Sequence, residues 1–373
     1  MPGFTRTRFP WARIRYSIGR KRPREVFLQA FINMNKAALQ FFDGLFLLRI
    51  PLLAPVWTIL LLGWIACNPE ARPGGNLAGG VISALSHEPA RLWAAMAAFS
   101  LIVASIYVMN QIADVESDRI NRKLFILPDG HISMRSAWII AVCCSILGLA
   151  GSLFFDGIMF LLFIGSLALG VLYDFPPANL KNRAIGGTFA NFLGHGVLTF
   201  LVGWYALRSG FGVPSGFLQR SAGDASHLVH GLLPSLSAGF ANAAVYITTT
   251  IPDAAGDRAT GKRTFCVAFG EKTTSLWSAI LCGMALLFAF YFPHNAWVMV
   301  LQAAVSLLFF IYLTIAFRKD LAVRAFKWPV FLLTALIAFY VPAYGVLIIA
   351  VFFGSKMYYR LRFCVEYPTF KAQ

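Results

Sequence analysis

The sequence predicts an all-α, polytopic membrane protein with about nine transmembrane helices. Three observations carry that prediction. Hydrophobic residues make up 58% of the 373 and charged residues 13%, against roughly 25% charged in a soluble domain, and mean hydropathy is +0.68. The apolar residues fall into runs close to the roughly 20 residues that a helix needs to cross a bilayer. The basic residues, which bring the net charge to +16, crowd the N-terminus and alternate links between the runs, as they do on the cytoplasmic side of membrane proteins.

Taken in order, the predicted spans are 45–66, 93–112, 136–154, 157–173, 185–207, 231–251, 275–292, 296–316 and 329–353. Turn signals separate them: "NPEARPGG" after the first, "FDG" after the third and "FPHN" after the seventh. The short third and seventh links make antiparallel hairpins of the spans they join. With the basic N-terminus inside, the links after spans two, four, six and eight are cytoplasmic and carry Arg119, Arg122, Lys123, Arg135, Lys181, Arg183, Arg258, Lys262, Arg263, Arg318, Lys319, Arg324 and Lys327. The pattern stumbles at the end. Lys356, Arg360 and Arg362 follow span nine and fall outside, so either the last segment does not fully cross or the charge rule is overruled there. The longest outer link, Arg208 to His230, reads as a surface loop with room for a short interfacial helix.

This gives a basic N-terminal segment over 1–40, a transmembrane domain over 41–355 and a short basic tail over 356–373. No signal-peptide core and cleavage site opens the chain. Placement in a bacterial inner membrane is expected, and the Arg-rich start leaves an organelle membrane open. The basic N-terminus fits anionic lipid or the inner face of a bilayer rather than nucleic acid. The six cysteines form no CxxC pair and read as packing thiols.

Two acidic stripes bear on chemistry. In "YVMNQIADVESDRINRK", Asn110, Asp114 and Asp118 are spaced four apart, and on a helix they share one face. Carboxylates at that spacing repel unless a cation lies between them, which suits a Mg²⁺-bound diphosphate. In "TTTIPDAAGDRATGKRTFCVAFG", Asp253 and Asp257 repeat the spacing at the same predicted side of the membrane. Facing each other across a cavity, the two pairs would hold Mg²⁺ and neutralise a diphosphate whose apolar tail lies along the helices. Arg119, Arg122, Lys123, Lys181, Arg183, Arg258, Lys262 and Arg263 are the cations available to the leaving group, although each also satisfies the charge rule alone. His195, with Asn191 one turn earlier, is the candidate for binding an acceptor; a packed histidine bonded to a carbonyl is the other reading. Arg49 either reaches the diphosphate or anchors span one at the interface.

Three blocks, "NQIADVESDRIN", "YDFPPANLK" and "DAAGDRATGKRTFCVAFG", stand in the order found in the UbiA superfamily of intramembrane prenyltransferases, which this sequence resembles over roughly residues 105–275. The resemblance implies a nine-helix bundle with a central cavity opening to the cytoplasmic side. It implies Mg²⁺ held by Asn110, Asp114, Asp118, Asp253 and Asp257, and Lys181 at the family's Leu-Lys lysine. Tyr173 would face the developing allylic cation by cation–π attraction. The implied activity is transfer of a polyprenyl group from an allylic diphosphate to a lipophilic acceptor, expected to be an aromatic ring of the quinone or tocopherol-precursor type. The wording of the first block loosely resembles the homogentisate and chlorophyll-synthase branches. Departures are Lys123 and the following "LFILPDG", and Thr250 where several relatives carry a further acid; both suggest a leaner metal site. The rival readings are a cyclase on the same fold and an ion-coupled transporter. A transporter places such acids near the midplane within repeats, and this chain places them at one face without one.

Overall fold

The computed structural model describes residues 36–74, 90–121, 126–213 and 225–368. Residues from Gln40 onward form one compact unit and those before it another; the helical bundle belongs to the former. Its elements in chain order are α1 (Lys36–Leu47), α2 (Ile50–Cys67), α3 (Ala90–Asn121), α4 (Met134–Ser152), α5 (Gly157–Asp174), a 3₁₀ turn (Leu180–Asn182), α6 (Ala184–Asn191), a π-helical stretch (Phe192–Leu198), α7 (Thr199–Ala206), α8 (Ala225–Ala259), α9 (Phe265–Phe269), α10 (Glu271–Ala289), α11 (Ala296–Ala316), α12 (Lys319–Tyr340) and α13 (Pro342–Phe363). Among the described residues, nine helical stretches are long and apolar enough to cross a membrane. Large apolar side chains such as Leu161, Ile315 and Phe353 stand on the outside, where lipid rather than water is their solvent.

Most expected spans match these helices to within a few residues. The first starts later than predicted, at Ile50, because Arg49 adopts a left-handed conformation (φ 53°, ψ 46°) that ends the preceding helix. The helix carrying the first acidic stripe runs unbroken through Asp118 to Asn121. The outer link's last residues already belong to α8, which begins at Ala225; residues 214–224 lie outside the described set.

The end of the chain needs a correction. The apolar run 329–353 is two helices, not one. Pro342 has no amide hydrogen and pushes Val341 out of helical geometry (φ −125°, ψ 83°), so α12 stops at Tyr340 and α13 starts anew. At this break Tyr340 Oη donates to Asn295 Oδ1 (2.9 Å) and Gly74 N to Phe339 O (2.8 Å), at the end of the bundle away from the acidic stripes. α13, which is not one of the nine apolar stretches, then runs about 33 Å back to the other end. There Tyr358 Oη donates to Asp43 Oδ1 (2.6 Å) and Arg362 grips the same buried carboxylate with two nitrogens (3.1 and 3.0 Å). Lys356, Arg360 and Arg362 therefore return to the basic end, and the charge pattern holds. The residues expected as a separate tail continue α13 as far as Phe363.

Inside the bundle, close helix approaches are made by glycines, as in other membrane helix pairs. A Cβ on Gly203 of α7 would collide with the Leu60 carbonyl of α2, and one on Gly63 with the Phe200 carbonyl. A Cβ on Gly196 would meet Gly239 of α8, so the π-helical stretch presses directly on α8. The outer hairpin is closed by Asp156, fully buried, which caps α5 through Ile158 N and Met159 N and accepts from Tyr205 Oη (2.8 Å).

The return of α13 sets a topology test. In a cysteine-free background, Glu366→Cys and Arg318→Cys should react with a membrane-impermeant maleimide from one side, and His294→Cys from the other. Labelling of positions 366 and 294 from the same side would contradict the returning helix.

Candidate active site

The first acidic stripe ends in a shared carboxylate. Asp114 Oδ1 lies 3.1 Å from Lys181 Nζ and 3.2 Å from Lys262 Nζ, so two ammonium groups converge on one oxygen. Lys181, buried, also reaches Asp174 Oδ1 at 3.2 Å. Asn110 Nδ2 donates to Asp174 Oδ1 (2.7 Å) and, more weakly, to Asp114 Oδ2 (3.4 Å), tying the two acids together. The set of Asp114, Asp174, Lys181 and Lys262 is neutral overall, which is what allows four charges to sit half-buried.

Local structure places each group. α5 ends at Asp174, and the Pro176–Pro177 corner with Asn179 in the left-handed region (φ 40°) turns the chain. The 3₁₀ turn that follows brings Lys181 back to Asp174, seven residues upstream. At the second stripe, α8 ends beyond Asp257 and Gly261 takes φ +73°, a backbone that favours glycine. Lys262 N then donates to Asp257 O (2.8 Å) and Thr264 Oγ1 to Asp257 Oδ2 (2.9 Å). This tight "GDRATGKRT" turn aims Lys262 across the site at Asp114 of the first stripe. A backbone bridge between Arg183 and Arg263 joins the two basic loops.

The structure thus brings Asn110, Asp114, Lys181 and Lys262 together and links the two stripes through a lysine. Asp118 and Asp257 are half-buried and Asp253 is exposed. Among the described residues, no three carboxylate, imidazole or thiol side chains gather into a preformed metal cage. Mg²⁺ does not require one: it is usually held by one or two carboxylates together with substrate phosphates and water. The two ammoniums on Asp114 stand where a cation is attracted, and the donors are the hard oxygens Mg²⁺ takes, so the residues fit the ion. Thr250 is not a donor to this site; it is buried and accepts the Cys266 amide (3.3 Å).

The remaining cations divide. Arg183 is exposed and donates to Pro177 O (3.2 Å), Arg258 is exposed, and Arg119 pairs with Glu116 in solvent (2.8 Å). Arg122 and Lys123 lie outside the described residues. Deeper in the bundle, Tyr173 lies beside Tyr246 and Asn191, and Asn242 Nδ2 donates to Asn191 O (2.8 Å). His195 sits on the π-helical stretch, a rare geometry frequent at functional sites. Its Nε2 lies 3.1 Å from Tyr107 Oη, whose own hydrogen goes to Leu52 O (3.1 Å). With that hydrogen used, Nε2 must donate, and Nδ1 is left as the acceptor. Arg49 faces inward, and its Nε is buried without a partner.

Three site residues escaped the sequence reading. Asp174 lies within a quoted block but has no acidic partner at helical spacing to mark it. Tyr246 is legible in hindsight, since 246, 250, 253 and 257 share a helix face. Tyr107 carries no marker in the sequence beyond its place at the end of an apolar run; its role shows only in its partners, Leu52 O and His195.

The sequence model of the UbiA prenyltransferase family matches residues 76–335. This chain belongs to that family. Among similar proteins, a 2-acyl-4-prenylphloroglucinol 6-prenyltransferase from Humulus lupulus is 30% identical over 181 residues, covering 47% of this chain and 42% of its own. A digeranylgeranylglyceryl phosphate synthase from Sulfolobus acidocaldarius is 28% identical over 195 residues, covering 52% of this chain and 63% of its own. The chain therefore spans less than two thirds of either relative. In fold it resembles a UbiA homologue from Archaeoglobus fulgidus bound to DMAPP and Mg²⁺, with a TM-score of 0.57 and 17% identity over 82% of this chain and 99% of that one.

Asp174→Asn tests the shared lysine. Removing one of its two negative charges leaves a buried ammonium with a neutral amide oxygen in place of a charge-assisted partner, a loss of about 1–3 kcal/mol. The melting temperature in detergent should fall; an unchanged value would mean Asp174 does not hold Lys181.

Proposed function

We propose that this protein transfers a prenyl group from an allylic diphosphate to an aromatic acceptor within the membrane, with Mg²⁺ as cofactor. The observation that carries the reading is the single oxygen of Asp114 shared by Lys181 and Lys262, one lysine from each basic loop, between two acidic stripes. Asn110, Asp114, Asp118, Asp253 and Asp257 would hold the ion, which when bound supplies positive charge against the diphosphate oxygens. Lys181 and Lys262 find phosphate oxygens as new acceptors and remain at the site as point charges. Arg183 and Arg258, exposed at the rim, meet the diphosphate as it enters.

The chemistry needs no protein nucleophile. The allylic C–O bond breaks with its electron pair leaving on the diphosphate, a step favoured by fixed positive charge at the leaving group. The rings of Tyr173 and Tyr246 face the allylic carbon and stabilise its cation. A π pair of the acceptor ring forms the new C–C bond, and the ring then loses a proton to restore aromaticity. His195, with Nδ1 free to accept, takes it. The apolar tail runs along α2, α8, α11 and α12, past a narrow cavity lined by Pro55, Ile59, Ala241, Val245, Met299 and Leu333. A larger cavity of about 460 Å³ on the flank, lined by Phe189, Phe240, Phe265 and Trp277 among others, contains no charged group and plays no part in this chemistry. An aromatic acceptor is favoured by the phloroglucinol prenyltransferases among the relatives. The basic end of the bundle, and with it the site, is taken to face the cytoplasm, with 1–40 as a basic segment on that side.

The test is diphosphate release by purified protein given an allylic diphosphate, with and without an acylphloroglucinol. Release should depend on acceptor and stop with EDTA. Asp114→Asn and Asp253→Asn should each lower it about 100-fold or more. Acceptor-independent release of a cyclic hydrocarbon would mean cyclisation instead, and near-wild-type rates in both variants would contradict the metal assignment.

A further inference from the structure

The flank cavity lies between α6, α8 and α10, with α9 at its basic end. Its walls are fixed by ring against ring: Phe192 meets Phe240 edge-on with centroids 4.9 Å apart, and Phe265 meets Phe269 at 4.8 Å. The one hydroxyl in the lining, that of Thr188, is spent on Ala184 O (2.9 Å). A space of about 460 Å³ falls in the range of ligand pockets rather than of packing faults. Ile185, Phe189, Phe269 and Trp277 stand exposed around it, so the cavity opens outward to the bilayer.

An apolar exterior says nothing by itself in a membrane protein, since lipid is the solvent on every side. What distinguishes this flank is the charge at its end. Ile185 is two residues beyond Arg183, and Phe265 is two beyond Arg263. The backbone bridge between those arginines sets the two chains about 5 Å apart, so both arginines start from one edge of the cavity. Both are exposed, and neither forms an ion pair among the described residues. Glu271, at the start of α10, is already taken by Lys319 (3.1 Å). Arg183 donates to Pro177 O (3.2 Å), a contact that uses little of a guanidinium's five N–H groups. An apolar slot with two arginines at its membrane-surface end complements a molecule that joins a hydrocarbon chain to a phosphate. The bilayer supplies one, because basic residues beside membrane helices attract its acidic lipids.

We propose that this flank binds one acidic phospholipid of the surrounding bilayer, an acyl chain in the cavity and the phosphate at Arg263, with Arg183 beside it. Arginine suits the phosphate because its planar fork grips two oxygens at once. The consequence reaches the active site along the chain. Arg183 is two residues from Lys181, and Arg263 is next to Lys262; these are the two lysines that meet on Asp114. A phosphate across the arginines ties the two basic loops together from the membrane side, in addition to the backbone bridge. The lipid is a bound partner that stabilises the folded protein and not a substrate, so the inference stands apart from the prenyl-transfer reading.

The experiment melts the purified full chain, stripped of lipid in detergent, with increasing dioleoylphosphatidylglycerol or dioleoylphosphatidylcholine, which share acyl chains and differ in charge. Binding to the folded state raises the melting temperature. The acidic lipid should half-saturate that rise at a concentration at least about tenfold lower than the zwitterionic one. In Arg263→Gln the preference should fall to about threefold, and Arg263→Lys, which keeps the charge, should retain most of it. Glycerol 1-phosphate, a head without a chain, should leave the melting temperature unchanged, which tells a lipid from a free phosphate. A second measurement needs no variant: phosphatidylglycerol with a diazirine on its acyl chain should, on irradiation, label peptides of α6, α8 and α10 in the wild type. Equal effects of the two lipids, an unchanged preference in Arg263→Gln, a rise with glycerol phosphate alone, or labelling spread evenly round the bundle would each overturn the proposal. So would loss of labelling on adding geranylgeranyl diphosphate, which makes the cavity part of the substrate site. Labelling lost whenever the protein dimerises would make it an interface between copies and overturn the proposal too.

Discussion

The structure turns on one carboxylate oxygen with two ammonium partners. Asp114 Oδ1 holds Lys181 and Lys262 at 3.1 and 3.2 Å, and each lysine is delivered by a different loop, after α5 and after α8. Two cations on one oxygen are stable only because Asp174 offers Lys181 a second acceptor and Asn110 bridges the acids. This arrangement draws together three segments far apart in sequence. It also leaves a site whose cations already stand beside the acids proposed to hold the metal. In the proposed reaction a diphosphate with its ion would exchange one set of charge-assisted contacts for another, and until then the carboxylates keep the site from collapsing around unpaired charge.

The bundle exists to hold those loops in register. Glycine contacts bring α2 against α7 and the π-helical stretch against α8. α13 returns across the bundle to fasten α1 through Tyr358, Arg362 and the buried Asp43. The same end of α1 opens into the joint at Arg49, so the last helix and the first helices form one connected corner. Polar pairs inside an apolar bundle are few, and here they lie where chain segments must meet in one geometry.

Much of this was legible in the sequence because the signals were periodic. Nine apolar runs, the four-residue spacing of Asp114 with Asp118 and of Asp253 with Asp257, and the placement of lysines in alternate links follow from helix geometry and the charge rule. What stayed hidden depends on tertiary contact. Asp174 gains meaning only when the Pro176–Pro177 corner folds Lys181 back onto it. Tyr107 matters because its hydroxyl lands between Leu52 O and His195. The break at Pro342 was masked by the continuous apolar run around it, and a charged stretch, "KDLAVRAFK", disguised the start of α12. The π-helical register at His195, where the chain presses on α8, has no local sequence signal that composition or spacing would reveal.

The central claim is that lysines occupy the metal-binding carboxylate until substrate arrives, so metal and diphosphate must bind as coupled partners. Coupling of this kind is reciprocal. The most direct measurement is calorimetric titration of Mg²⁺ into purified protein, alone and with an allylic thiolodiphosphate that cannot ionise. The account predicts weak Mg²⁺ binding alone and binding at least tenfold tighter with the diphosphate present. Equal Mg²⁺ affinity in both titrations would contradict it.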